Sequence, residues 1–186
     1  IMNYLVTGLV CSGKSTLLDV AQNYSFRTYK SDEIVSSLYQ DEYIVNQLKN
    51  NIRIKQTSKN FKDDIRDYFF KSRKNKEEIE NIIHPIVHGM ISDIFSKSDN
   101  SMIELPPIIN NEFLFKKYNT IYVDAPEETR RERYNTHNKN DIDIFDQLNS
   151  IQNDYEIIKK SCNIILKNIN SPYSLNQYFD GGIIKT

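Results

Sequence analysis

Residues 8–15 read Gly8-Leu9-Val10-Cys11-Ser12-Gly13-Lys14-Ser15, a complete G-x-x-x-x-G-K-[ST] phosphate-binding loop. The flanks supply the context the motif requires. Tyr4-Leu5-Val6-Thr7 reads as a short buried strand and Ser15-Thr16-Leu17-Leu18-Asp19-Val20-Ala21 as the opening of a helix. Each residue type has a physical reason to be there. Gly8 and Gly13 allow backbone angles that a Cβ would forbid. The N–H groups of the loop and of the helix start, from Cys11 and Ser12 through Thr16, attract phosphate oxygens. Lys14 can reach the β- and γ-phosphates, and the Ser15 hydroxyl can ligate Mg²⁺. Nucleotide phosphate binding is therefore the first expectation.

The 186 residues suffice for one α/β domain with an insertion. A net charge of −1 provides no global pull toward nucleic acid or a membrane surface, so neither is expected as a partner. No apolar run approaches the ~20 residues of a membrane span. Ile1 ahead of Met2 reads as a tag remnant, and the chain enters its first strand without a signal-peptide pattern. Two cysteines, Cys11 and Cys162, are too few for a disulfide framework, which fits a reducing, cytoplasmic setting. Cys11 sits where a helix N-terminus can lower a thiol pKa, but it reads first as a small residue filling a loop position.

Five apolar, β-branched runs, at 4–7, 26–30, 101–105, 120–124 and 163–167, alternate with helical stretches near 14–23, 31–50, 60–73, 76–97, 127–136 and 143–160. Strands separated by helices imply a parallel sheet with crossover helices. Three helical stretches between the second and third strands exceed what one crossover needs, and mark an inserted helical subdomain suited to acceptor binding. The polar stretch 137–142 follows a helix carrying Arg130, Arg131 and Arg133, the pattern of a mobile basic lid. The expected organisation is one domain over 1–186: core 1–35, 98–130 and 155–186, helical acceptor insertion about 36–97, and lid about 131–154.

Asp32 lies just past the second strand, at the carboxyl end where parallel sheets gather their ligands. It can take the proton of an attacking hydroxyl. With Ser31, it can equally cap the next helix. Glu104 ends the third strand, where a buried carboxylate without a partner would be costly; it can orient Mg²⁺-bound water or a substrate group. Arg131 and Arg133 can clamp a transferring phosphate or form a solvated charged face. His84 and His88, four apart, have zinc spacing but no third ligand pattern, so no zinc site is expected. Asn138-Lys139-Asn140-Asp141 matches a guanine-reading N-K-x-D, but follows a polar stretch rather than a strand, and reads as accidental.

Taken together, the residues resemble the dephospho-coenzyme A kinase family of the nucleoside-monophosphate-kinase-like P-loop group, over nearly all of 3–178. Ser31-Asp32-Glu33-Ile34 is similar to the family's D-A-D-x-[IV] segment, whose second Asp is the presumed base. Ile79-Glu80-Asn81-Ile82-Ile83-His84-Pro85-Ile86-Val87 is similar to its L-E-x-I-x-H-P stretch, and Glu104-Leu105-Pro106 to its strand end. Arg133, Gln152 and Asn168 fall where the family keeps a lid arginine, a glutamine and an asparagine. The resemblance implies a five-stranded parallel P-loop NTPase core with an inserted helical acceptor domain and a lid, ATP as phosphoryl donor with Mg²⁺, and a nucleotide ribose 3′-hydroxyl as acceptor. It places Lys14, Asp32 and Arg133 in catalysis. Gly8, Cys11, Ser12, Gly13, Lys14, Ser15, Thr16, Arg131 and Asn168 fall on ATP, and Asp32, Lys30, Lys62, His84 and Glu104 on the acceptor.

The chain departs from the family pattern mostly away from the loop. Lys30 replaces its first Asp, Pro107 and Asn110 break its P-L-L-F-E run, and Lys62 stands near its arginine in the inserted helices. His137 replaces a second lid arginine, Leu148 another arginine and Asn163 an aspartate. These changes leave open a related kinase acting on cytidine diphosphoramidate or adenylylsulfate. A nucleotide-binding switch without phosphotransferase activity is the alternative from another class, and the chain has no suitably placed D-x-x-G to support it.

Overall fold

In the computed structural model, the described residues are 2–52, 61–105, 112–137, 142–151, 155–169 and 175–185. The chain runs β1 (Tyr4–Thr7), α1 (Lys14–Gln22), β2 (Arg27–Tyr29), α2 (Ser31–Gln40), α3 (Glu42–Asn51), α4 (Phe61–Lys71), α5 (Arg73–Lys97) and β3 (Ser101–Glu104). It continues with α6 (Glu112–Lys117), β4 (Asn119–Asp124), α7 (Glu127–His137), α8 (Ile142–Ile151), α9 (Tyr155–Ser161), β5 (Ile164–Lys167) and α10 (Asn176–Asp180).

All five expected strands form, in the order β2-β3-β1-β4-β5, and every neighbouring pair is parallel. β1 and β3 are buried along their whole length, as strands covered on both faces must be. Side chains alternate between the faces. Leu5, Ile103 and Tyr122 share one apolar cluster with α2–α6 and α9, while Tyr4, Val6, Met102, Ile121 and Val123 pack on the other face against Leu17, Leu18 and Ala21 of α1 and Phe179 of α10. The helical insertion thus has no separate core; it is continuous with one face of the sheet. Its spine is α5, whose Ile79, Ile83, Val87 and Ile91 recur every four residues and are fully buried.

Two expected helices are broken. The stretch 31–50 divides at Asp41, which takes an extended conformation and accepts hydrogen bonds from the N–H groups of Tyr43 and Ile44, capping α3. The stretch 143–160 is two helices, α8 and α9. The short helices α6 and α10 were not expected, since five or six residues carry too little periodicity to read. The N-K-x-D match at 138–141, most of the stretch 137–142, Gln152, Pro106, Pro107 and Asn110 lie outside the described residues. Among the described residues, no helix is long and apolar enough to cross a membrane.

Candidate active site

The loop between β1 and α1 is held in a shape that only its glycines permit. Gly8 has φ 149°, and a Cβ there would lie 2.5 Å from the carbonyl oxygen of Val123, at the end of β4. Gly13 has φ 100° and forms the N-cap of α1; a Cβ there would overlap the amide of Asn168. Cys11, without glycine's freedom, also has a positive φ of 57°. The Ser12 N–H closes the turn onto the Leu9 carbonyl at 3.2 Å. The Ser12 hydroxyl is buried and makes no hydrogen bond among the described residues, the condition of a polar group shaped to meet a ligand.

Lys14 folds over this loop. Its ammonium donates to the carbonyls of Gly8 and Leu9, both at 3.0 Å, and stands 4.0 Å from a carboxylate oxygen of Glu104. The other Glu104 oxygen accepts a hydrogen bond from the Ser15 hydroxyl at 3.1 Å. The sheet explains the meeting: parallel register sets Glu104 beside Val6, so β3 ends next to the strand that launches the loop. Glu104 is only 5% exposed, and these two contacts are the partners its burial requires. Burial holds the Lys14 pKa below the ordinary lysine value, with Glu104 the strongest opposing influence and Asp32 a weaker one. Asp32 is exposed on the first turn of α2, close enough for its charge to act on Lys14. It does not cap the helix. Lys30 holds the N-cap position, and the Glu33 carboxylate accepts from the Lys30 N–H at 3.4 Å.

Three side chains brace the loop from the opposite side. Arg133 of α7 donates to the carbonyls of Cys11, Ser12 and Asn168, at 3.3, 3.2 and 3.1 Å. The buried Asn168, directly after β5, donates its amide to Ser12 O at 2.8 Å and its backbone N–H to Asp124 O. Arg130 reaches Val10 O at 3.4 Å. The sequence marked the basic run without assigning Arg130, although its spacing of three from Arg133 puts both on one helix face. Arg131, expected at the nucleotide, is turned elsewhere. It pairs with Glu127 at 2.9 Å and Asp146 at 2.7 Å and lies over the Phe145 ring, because its place on the helix faces α8 rather than the loop. Burial raises the Cys11 thiol pKa, outweighing Lys14, Arg130 and Arg133, which agrees with a small loop-filling residue.

The other residues expected at the acceptor are spread out. Lys30 is paired with Asp19 of α1 at 2.7 Å. Lys62 is exposed on the first turn of α4. His84 stacks parallel to His88 with ring centroids 6.1 Å apart, and His88 in turn faces Phe113. Among the described residues, no group of three or more His, Cys, Asp or Glu is placed to hold a metal ion. Asn163 ties β5 to β4, its side chain accepting from both the N–H and the hydroxyl of the buried Thr120, each at 2.9 Å.

The sequence profile of the family described as dephospho-CoA kinase matches residues 4–173. A Rickettsia felis dephospho-CoA kinase is 26% identical over 153 residues, covering 79% of this chain and 78% of that protein. A crystal structure from Thermus thermophilus superposes with a TM-score of 0.73 at 19% identity, covering 98% of this chain and 96% of that one. The dephospho-CoA kinase of Campylobacter jejuni gives 0.63, also at 19% identity, covering 98% of both chains. These two likenesses bear on the fold.

Proposed function

The chain belongs to the dephospho-CoA kinase family, and from that premise we propose that it transfers the γ-phosphoryl group of ATP to the ribose 3′-hydroxyl of dephospho-CoA. An ATP-dependent phosphotransferase activity follows from the family itself; the acceptor atom and the residue roles are inferred from the site. The observation that carries them is the meeting of Lys14, Ser15 and Glu104 beneath a glycine-shaped loop, with Asp32 within electrostatic reach.

In this reading the loop N–H groups and Lys14 hold the β- and γ-phosphates, and the carbonyl contacts of Lys14 are exchanged for phosphate oxygens. Asp32 accepts the proton as the O–H bond of the acceptor breaks. A new O–P bond forms, the bond from the γ-phosphorus to the bridging oxygen breaks, and ADP leaves. Arg133, anchored on the loop's outer carbonyls, adds fixed positive charge beside the transferring group. Ser15 and Glu104 form a pair of hard oxygen donors that fits Mg²⁺, which prefers few protein ligands completed by phosphate and water. When bound there, Mg²⁺ supplies charge neutralisation on the phosphates.

Two departures from the family pattern have local explanations that favour the family's own acceptor. The Lys30 charge is taken up by Asp19, and Asn163 is engaged with Thr120. The deciding experiment incubates the protein and Mg-ATP with dephospho-CoA, cytidine diphosphate derivatives or adenylylsulfate, and identifies products by mass. An 80-Da gain on dephospho-CoA, about the mass of one phosphoryl unit added by the transfer, is expected. Phosphorylation of another acceptor in its place overturns the assignment.

A further inference from the structure

Arg130 is 3% exposed, and among the described residues the neighbouring carboxylates pair elsewhere, Glu127 and Asp146 with Arg131 and Asp124 with Lys159, so that Glu127 acts on the guanidinium only from a distance. The direct partners of Arg130 are neutral: Ala125 O at 3.2 Å, Val10 O at 3.4 Å and the side-chain oxygen of Asn149 at 2.9 Å. The Phe145 ring lies below it, centroid 5.6 Å away. A desolvated cation without a carboxylate in direct contact is costly. What that cost secures here is geometric, because one planar fork joins three pieces of the chain: the end of β4, the phosphate loop and α8.

The Val10 contact sets a specific group. In a trans peptide the C=O and the following N–H point in opposite directions. Fixing Val10 O onto Arg130 therefore turns the Cys11 N–H away from the guanidinium, and that N–H takes no part in the backbone hydrogen bonds of the turn. Asn149 is itself oriented, since its amide nitrogen donates to Glu127 at 3.3 Å while its oxygen accepts from Arg130. A continuous chain thus runs from Glu127 through Asn149 and Arg130 to the loop.

We propose that Arg130 is a positioning residue for ATP: it holds the Val10–Cys11 peptide in its phosphate-binding orientation and, through Asn149, makes that orientation depend on α8 being docked. The proposal rests on the reading of residues 8–15 as the phosphate site. Lysine at 130 keeps the charge but presents a single point of donation, so it cannot span Ala125, Val10 and Asn149 together.

The test is direct titration with a non-hydrolysable Mg-ATP analogue, alongside steady-state kinetics and thermal melting. Arg130→Lys is expected to raise the analogue Kd about tenfold, near 1.4 kcal/mol, with the acceptor KM within about twofold of wild type. Asn149→Ala is expected to raise the Kd about threefold, and the double variant to be no weaker than Arg130→Lys alone, the signature of one coupled path. A lowered Tm with an unchanged Kd for Arg130→Lys would make the residue a fold anchor only and overturn the proposal. Should Arg130→Lys fail to fold, Asn149→Ala decides alone, and an unchanged Kd there overturns it too. Lys14→Ala separates this from the site reading. If it loses analogue binding while Arg130→Lys keeps wild-type affinity, the loop assignment stands and the Arg130 proposal falls. If wild type and Lys14→Ala bind alike, the loop assignment itself fails.

Discussion

The loop of residues 8–15 and the helices α2–α5 are held together by opposite kinds of chemistry. Around residues 8–15, nearly every carbonyl is engaged by a side chain from a distant part of the sequence or by the loop's own lysine: Lys14 on Gly8 and Leu9, Arg130 on Val10, Arg133 on Cys11, and both Arg133 and Asn168 on Ser12. Helices α2–α5 are bound by an apolar cluster that runs into the sheet; some of their charged pairs are exposed, as Arg73–Glu77 is, while Lys76–Glu80 and Asp64 are largely buried. A polar loop fixed by cations is set for an anionic ligand before it arrives, which lowers the reorganisation needed at the moment of reaction. An apolar bundle fixes helix positions while leaving polar surface residues open to change.

The sharpest way to break this contrast is Lys14→Ala. It should lower kcat about 10³-fold, near 4 kcal/mol, with the melting temperature nearly kept; a folded variant retaining more than about a tenth of wild-type kcat removes the loop from the chemistry. Next is Ile83→Ala, which should cost about 3 kcal/mol of stability by opening a cavity in the cluster of α2–α5, while kcat of the folded protein holds. Urea unfolding measures it, and a loss under about 1 kcal/mol would mean this cluster is not the spine of the bundle. Asp32→Asn should lower kcat about 10²-fold with little change in the ATP KM. Since Asp32 does not cap α2, stability should hold, and a near-normal kcat would remove it as the base.

Smaller effects probe the margin. Lys30→Ala breaks an exposed pair and should change stability by less than about 1 kcal/mol and the acceptor KM by less than about threefold. A rise of about tenfold or more would place Lys30 on the acceptor after all. The smallest effect concerns His88, whose pKa is held below the usual histidine value by burial first and then by His84 and Lys117. A base with a lowered folded pKa stabilises the fold above its unfolded pKa of about 6.5 and loses that contribution as pH falls below it. Wild type should therefore lose Tm between about pH 7 and pH 5 more steeply than His88→Gln, and equal slopes in calorimetry would deny His88 this role.

Much of this architecture is legible in the sequence. The five strands are short β-branched runs bounded by polar residues, and the loop is a local motif whose glycines, lysine and serine act within eight consecutive positions. The break at Asp41 was not read: apolar periodicity continues across it from α2 into α3, and the capping role of the aspartate shows only in its extended backbone and its bonds to the N–H groups of Tyr43 and Ile44. Arg130 was legible only as one of three arginines. Its i, i+3 relation to Arg133 chose a face, but which face meets the loop depends on how α7 lies against β4.

The sequence by itself determined what depends on neighbouring residues: strand and helix periodicity, the left-handed positions of Gly8 and Gly13, and the chemistry that a lysine and a serine bring to a phosphate loop. Tertiary structure alone decided which distant groups meet. Glu104 reaches Ser15 because β3 pairs with β1 in parallel register, and Arg131 pairs with Asp146 of α8 rather than turning to the loop. Lys30 is neutralised by Asp19 across the α1–α2 gap. Local preferences act through backbone angles and side-chain spacing, whereas these pairings are fixed by the burial of two apolar faces of one sheet, a constraint that no short stretch of residues carries alone.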